Sequence, residues 1–249
     1  MNEWVVGRII KINQWSKKLF SIILHASIDP FIAGQFAKLS FQDIHKTTTR
    51  AYSYVNSPNN KNLEFYFVLV PHGKITDRLS NLKVNDEILI TKKSSGFFTL
   101  KEIPICENLW MLATGTGIGP YLSILQDYNN KIKKFKNIIL VHAVKYHHEL
   151  TYYNLMKKLK NQYNGKLHVH IILSQEKYGN YLLGRIPNLI KDNTLETVVG
   201  LPMDPISSHV MLCGNPNMVR DTKVVLIEIK NMKKHFKRRA GHITSENYW

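Results

Sequence analysis

Near residue 105 the sequence changes rhythm. Before that point six short runs rich in β-branched and aromatic residues follow one another: WVVGRIIKI (4–12), LFSIILHA (19–26), QFAKLSF (35–41), RAYSYV (50–55), LEFYFVLV (63–70) and DEILIT (86–91). Turn signals separate them, at Asp29-Pro30, Ala33-Gly34, Ser57-Pro58-Asn59-Asn60 and Pro71-His72-Gly73. Short strands at this spacing read as an antiparallel barrel or sandwich. One helix is expected among them over Asp77–Leu82, with Thr76 as its N-cap and Asp77 at its positive end.

After that point strands alternate with helices. LWMLAT (109–114), NIILVHAV (137–144), KLHVHIILS (166–174) and HVMLCG (209–214) are buried-strand runs. Helical patterns follow them: GIGPYLSILQDY (117–128), ELTYYNLMKKLKNQY (149–163), IPNLIKD (186–192) and residues 216–235. Such alternation implies a parallel sheet covered on both faces. The expected architecture is therefore β plus α/β: an antiparallel β-barrel over residues 1–102, then a doubly wound parallel-sheet domain over 103–249.

In doubly wound sheets ligands bind beyond the carboxyl ends of the strands. The stretches expected there are TGTGIGP (114–120), HAVKY (142–146), LSQEK (173–177) and CGNPNM (213–218), all carrying Gly, polar or basic residues. Gly115, Gly117 and Gly119 form a strand-to-helix turn of the kind that lets backbone N–H groups approach a phosphate. The spacing is not GxGxxG, and no acidic residue follows about 20 residues later, so the usual dinucleotide fingerprint is missing. In the first half, alternation points Arg50, Tyr52 and Tyr54 to one strand face, where an arginine can pair with a phosphate while a tyrosine stacks on a flat ring. An exposed aromatic strand with no ligand fits the same residue types. Cys213 lies before a helix start, whose positive end can lower a thiol pKa; a small buried residue at a tight turn fits the same position.

Charge narrows the partners. Lys and Arg number 34 against 18 Asp and Glu, a formal +16, a field that attracts anions; a compositional drift toward Lys, Asn and Ile accounts for the same excess without a partner. The two cysteines, Cys106 and Cys213, lie far apart in sequence, which fits a reducing compartment better than a disulfide scaffold. His147-His148 and His168-Val169-His170 have no set of partner ligands nearby, so no metal is expected. No run is long and apolar enough to cross a bilayer, and MNEWVVGRII does not resemble a secretion signal, so a cytoplasmic protein is expected.

Taken in order, RAYSYVNSP, PHGKITDRL, SSGFF, MLATGTGIGPYLSIL, VHAVKY, GRIP, MLCGNPNMVRDT and the final ENYW resemble the bacterial ferredoxin (flavodoxin)–NADP⁺ reductases of the enterobacterial type, from Trp4 to Trp249. The resemblance implies FAD in the barrel. Arg50 would pair with the pyrophosphate, with Ala51 beside it. Tyr52 would stack on the isoalloxazine, and Ser53 would lie near its N5. Tyr66, Phe67 and Val68 would line the site, Lys74, Ile75 and Thr76 would hold the pyrophosphate, and Thr116 would reach FAD from the second domain. Tyr248 and Trp249 would cover the adenine.

The same resemblance implies NADP(H) in the α/β domain. Gly115 and Gly117 would approach its pyrophosphate, and Cys213, Gly214 and Asn215 would border the nicotinamide. Tyr52, Ser53 and Cys213 are thus the implied catalytic residues. The 2′-phosphate would be read on the loops bearing Val144, Lys145, Ser174, Gln175 and Arg185. Lys145 and Gln175 stand where the family carries arginines; Lys145 keeps the charge without the bidentate fork, and Gln175 loses it, with Lys177 close by. The implied reaction carries electrons from NADPH through FAD to an acidic one-electron carrier, flavodoxin or ferredoxin, with the basic stretch Lys233–Arg239 at the end of the last helix as a candidate contact. A monomer is implied, with no nucleic-acid or membrane partner. An NADH-linked flavin reductase is the alternative enzyme, and a basic nucleic-acid-binding protein the alternative from another class.

Overall fold

The computed structural model describes residues 3–41 and 48–248. The chain separates into two compact units: Met1–Leu100 with Gly119–Asp127, and Lys101–Ile118 with Tyr128–Trp249.

The first unit carries β1 (Trp4–Gln14), β2 (Leu19–His25), β3 (Phe36–Phe41), β4 (Thr48–Ser53), β5 (Asn62–Val68), the short helix α1 (Lys74–Ser80) and β6 (Glu87–Thr91). All six expected runs are strands. They form one antiparallel sheet in the order β4-β3-β6-β1-β2-β5. An antiparallel bridge from Tyr54 to Phe65 links the two ends of that order, so the sheet is a nearly closed barrel rather than a sandwich. Its interior is filled by Ile22, Leu24, Leu39, Tyr54, Phe65, Leu79 and Ile90, all fully enclosed. Side chains of this size each contribute about 1.5–3 kcal/mol on burial, so the barrel is held chiefly by this core. The helix α2 (Gly119–Asp127) also belongs to this unit. Ser123 Oγ donates to the Asn56 carbonyl at 2.7 Å, and Gln126 Nε2 to the Val55 carbonyl at 2.7 Å.

The second unit carries β7 (Asn108–Thr114), a 3₁₀ turn (Gly115–Ile118), α3 (Asn130–Lys133), β8 (Asn137–Val144), α4 (Tyr153–Gln162), β9 (Leu167–Leu173), β10 (Leu182–Leu183), α5 (Ile186–Lys191), α6 (Thr194–Val199), β11 (Ser208–Gly214), α7 (Pro216–Glu228) and β12 (Ile243–Asn247). Its sheet is parallel throughout, in the order β10-β9-β8-β7-β11-β12. β11 is buried along its whole length and β7 along nearly all of it, as continuous apolar runs covered on both faces should be.

Three local expectations are overturned. The first helix begins at Lys74, with Gly73 as its cap, and stops at Ser80. Thr76 lies inside its first turn, where its Oγ1 donates back to the Gly73 carbonyl at 3.2 Å and accepts from Val70 N at 3.2 Å, so it does not cap the following residues. The last helix ends at Glu228, not His235: Asn231 takes a left-handed φ of 55°, and Lys230 is drawn to Glu196 and to Asn193 Oδ1. Lys233–Arg239 is therefore irregular chain, with Lys234 bridged in parallel to Ile243. The third concerns Tyr54, which does not share an exposed face with Arg50. It stacks on Phe31 at 3.9 Å between ring centroids and shares a hydrogen bond of 2.8 Å with Ser94, because the strand ends at Ser53 and the chain turns into the core.

Candidate nucleotide-binding sites

The order of the parallel sheet locates one crevice. From β7 the chain moves to β8, β9 and β10 on one side, then returns to β11 on the other. Connections leaving the carboxyl ends of β7 and β11 therefore diverge, and in open α/β sheets ligands sit at such a switch point. The two turns at this point are Gly115–Ile118 and Cys213-Gly214-Asn215.

These turns interlock. A Cβ on Gly117 would stand 2.6 Å from the Cys213 carbonyl oxygen and 2.7 Å from Gly214 Cα. Gly214, at φ 131°, would drive a Cβ into Thr114. Thr114 Oγ1 accepts from Asn215 N at 2.9 Å. Gly115 differs: its φ is 52°, and a Cβ there would meet nothing within 4 Å. The left-handed backbone favours glycine, and the space over it is open. A glycine-lined opening of this kind fits a flat or anionic group brought close to backbone. Asn215 then caps α7, its Oδ1 accepting from Asn217 N at 2.9 Å and Met218 N at 3.4 Å.

Cys213 is fully buried, and burial, with a smaller contribution from Glu246, pushes its thiol well above the ordinary range. Of the two sequence readings the buried residue at a tight turn holds and the lowered thiol does not, because the side chain of a β11 residue is enclosed within the sheet while the helix amides serve Asn215. Tyr248 reaches the same region through its N–H, which donates to the Gly214 carbonyl at 3.0 Å. Trp249 lies outside the described residues.

Two further side chains brace these turns, from the stretches TGTGIGP and HAVKY that the sequence places at this edge without giving either residue a role. Thr114 ties the two turns together. His142, fully buried on β8, places Nε2 3.0 Å from the Gly115 carbonyl. The signal for His142 was a single imidazole inside the apolar run NIILVHAV.

Along the same sheet edge lie Lys145, Gln175 and Arg185, all exposed. Gln175 N donates to the Lys145 carbonyl at 3.1 Å, and Ser174 N to the carbonyl of the buried Val144 at 3.0 Å, so the loops after β8 and β9 run side by side. Arg185 caps the start of α5 with its backbone, leaving its side chain in solvent. Two carboxylates brace these loops: Glu149 accepts from Lys145 N at 2.9 Å, and Glu176 accepts from His147 N.

In the barrel, Arg50 and Ala51 are exposed, Tyr52 is half-buried and Ser53 is buried. Arg50 Nη1 donates to the Thr49 carbonyl at 3.0 Å. The Tyr52 ring meets Phe67 edge-on at 6.1 Å, and burial raises its phenol above the ordinary value, opposed by Arg50. Tyr66 and Phe67 are buried on β5, with Val68 partly covered. α1 presents an exposed Lys74 at its start, followed by buried Ile75 and Thr76. First-turn amides have no intrahelical acceptor, so this start and Arg50 offer donors to an anion. Thr116 is buried in the 3₁₀ turn of the second unit. Among the described residues no group of three or more His, Cys, Asp or Glu could hold a metal, and no helix is long and apolar enough to cross a membrane.

Residues 111–224 match the oxidoreductase NAD-binding domain family. Over the full length of both chains the sequence is 55% identical to the flavodoxin/ferredoxin–NADP reductase of Buchnera aphidicola subsp. Baizongia pistaciae and 51% identical to that of Escherichia coli K12. A ferredoxin NADP⁺ reductase from Neisseria gonorrhoeae, solved with bound FAD and NADP, superposes with a TM-score of 0.92 at 30% identity, covering 99% of each chain. The barrel, the switch-point turns and these full-length likenesses agree, and the chain belongs to the flavodoxin/ferredoxin–NADP reductase family.

Proposed function

We infer that this chain is an oxidoreductase that carries electrons from NADPH through FAD to flavodoxin or ferredoxin. The observation that carries the reading is the pair of interlocked turns at the switch point, with open backbone at Gly115 and a capped helix start at Asn215. Bound FAD supplies the conversion from a two-electron donor to one-electron delivery.

The residues of the chain bind and orient. In the barrel, Arg50 and the first turn of α1 (Lys74, Ile75, Thr76) hold the FAD pyrophosphate, and Ala51 lets the chain run close to it. Tyr52 gives the flavin a ring to stack on, Ser53 offers a hydroxyl near its N5, and Tyr66, Phe67 and Val68 exclude water. Thr116, Tyr248 and Trp249 are further FAD candidates that the family resemblance supports.

In the parallel-sheet unit, Gly115 and Gly117 bring backbone to the NADP(H) pyrophosphate, and Cys213, Gly214 and Asn215 border the nicotinamide. Since burial keeps the Cys213 thiol protonated, its part is to shape the wall, not to exchange a proton. Lys145 and Arg185 carry charge for the 2′-phosphate, with Val144, Ser174 and Gln175 forming the loops that hold them.

The carrier is an acidic protein. The exposed Lys233, Lys234, Lys237, Arg238 and Arg239, within a chain of net charge +16, support that partner through electrostatic steering. A cytosolic monomer with neither nucleic acid nor membrane as partner completes the reading, and the free thiols of Cys106 and Cys213 fit a reducing compartment. The visible spectrum of the purified protein is the test: a flavin band, retained through desalting, is expected. A colourless protein that FAD cannot reconstitute contradicts the reading.

A further inference from the structure

We propose that His142 is a positioning residue for the pyridine nucleotide: its Nε2–H holds the Gly115 carbonyl and so fixes the turn whose backbone faces the NADP(H) pyrophosphate. This rests on the reading of Gly115–Ile118 as the nucleotide turn. A carbonyl oxygen only accepts, so the 3.0 Å contact assigns the proton to Nε2. That leaves Nδ1 bare, and it is buried with no hydrogen-bond partner. A histidine that serves only to fill the core would be replaced at lower cost by an aliphatic side chain, because an unsatisfied buried nitrogen is unfavourable. The hydrogen bond to Gly115 is what the imidazole does that an aliphatic side chain cannot.

The neighbours explain why the turn needs this tie. Gly115 has a left-handed φ of 52° and no side chain or packing partner of its own within 4 Å of a Cβ position. Gly117 is fixed by its approach to Cys213 and Gly214, and Thr114 by its bond to Asn215 N. Between those anchors the Gly115 peptide is held from the β8 side by His142. Burial drives the imidazole pKa down to about 4, so the ring stays neutral at ordinary pH and keeps its single-donor form.

Two substitutions separate positioning from packing. H142Q restores an N–H donor at nearly the same place as Nε2, whereas H142L keeps the volume and loses the donor. NADP⁺ binding to the oxidised holoprotein is read by calorimetry, alongside FAD content and the hydrogen exchange of residues 115–118 without nucleotide. For H142L, the Kd for NADP⁺ rises about tenfold, the worth of one hydrogen bond, with FAD content unchanged and faster exchange in the turn. H142Q recovers most of the affinity and the slow exchange. Wild-type affinity in H142L, or equal loss in both variants, overturns the role of His142. A wild-type holoprotein that does not bind NADP⁺ overturns instead the reading of the turn.

Discussion

The Cα of Gly117 faces the Cys213 carbonyl so closely that an added Cβ would lie 2.6 Å from that oxygen. The turns after β7 and β11 are thus mutually dependent, and the site at the switch point is a single packed object. Gly117→Ala must push the turns apart. A loss of about 1–3 kcal/mol in urea unfolding is expected, the usual cost of overpacking, with weaker NADP⁺ binding. Gly115→Ala meets no neighbour, so its cost is limited to the left-handed backbone, about 1–2 kcal/mol. Equal NADP⁺ affinity in Gly117→Ala and wild type would contradict the interlock.

The proposed function assigns recognition of the 2′-phosphate to Lys145 and Arg185. Arg185→Ala is expected to raise KM for NADPH about tenfold or more and leave KM for NADH nearly unchanged, since only NADPH offers the phosphate to its guanidinium. Gln175→Arg is expected to sharpen the preference for NADPH over NADH, since it adds a cation beside the phosphate. Equal losses for the two cofactors from Arg185→Ala would show that Arg185 does not read the phosphate.

The thiols are expected to be inert. Burial raises the Cys106 thiol to about 11, opposed by Lys134 and the His209 amide, and also holds the fully enclosed Cys213 thiol well above its ordinary range. At mildly alkaline pH only about a thousandth of Cys106 is thiolate, so iodoacetamide should label the native protein far more slowly than the denatured one. Rapid labelling of Cys213 in the native state would refute its enclosure.

Acid should destabilise the second unit through two buried histidines. Burial lowers His142 to about 4, and burial followed by the charges of His235 and His242 lowers His209 to about 3. Both bind protons more readily when unfolded, so the unfolded state gains protons first as pH falls below about 6.5. Stability is therefore full above that pH and declines through the window between it and about 4, by roughly 3 kcal/mol for each group. His209 bonds Thr244 through Nε2 at 2.9 Å across β11 and β12, so this pairing is exposed to the same loss. Thermal unfolding across this window reads it; a flat profile would contradict the burial of these rings.

Strand legibility in the sequence depended on burial. The six barrel runs and the four central strands β7, β8, β9 and β11 were readable because their apolar content is set by the core. β12 and β10 were not: Ile243–Asn247 reads ITSEN, an edge strand whose outward residues are polar, and β10 has two residues. The end of α7 was missed because a left-handed Asn231 stops a helix that the polar pattern would continue. The glycines of the site were visible as motif. Which glycine leaves space and which fills it was not, since that depends on Cys213 and Thr114, about a hundred residues away from their partners. The sequence left the thiol of Cys213 open between activation and burial for a related reason, because local position at a helix start says nothing of enclosure by neighbouring strands.

Charge reversal of Lys233 and Lys234 is expected to slow electron delivery to flavodoxin severalfold at low salt, with ferricyanide reduction unchanged, because steering acts on the charged protein carrier. Unchanged flavodoxin rates would leave this stretch a solvated surface only.

The most direct test of the central claim is anaerobic stopped-flow mixing of the FAD-loaded protein with NADPH, followed by oxidised flavodoxin. The flavin band should bleach on the first mixing, faster with NADPH than with NADH, and return on the second as flavodoxin becomes reduced. A flavin that NADPH does not bleach, or that stays reduced in the presence of flavodoxin and ferredoxin alike, would contradict the account.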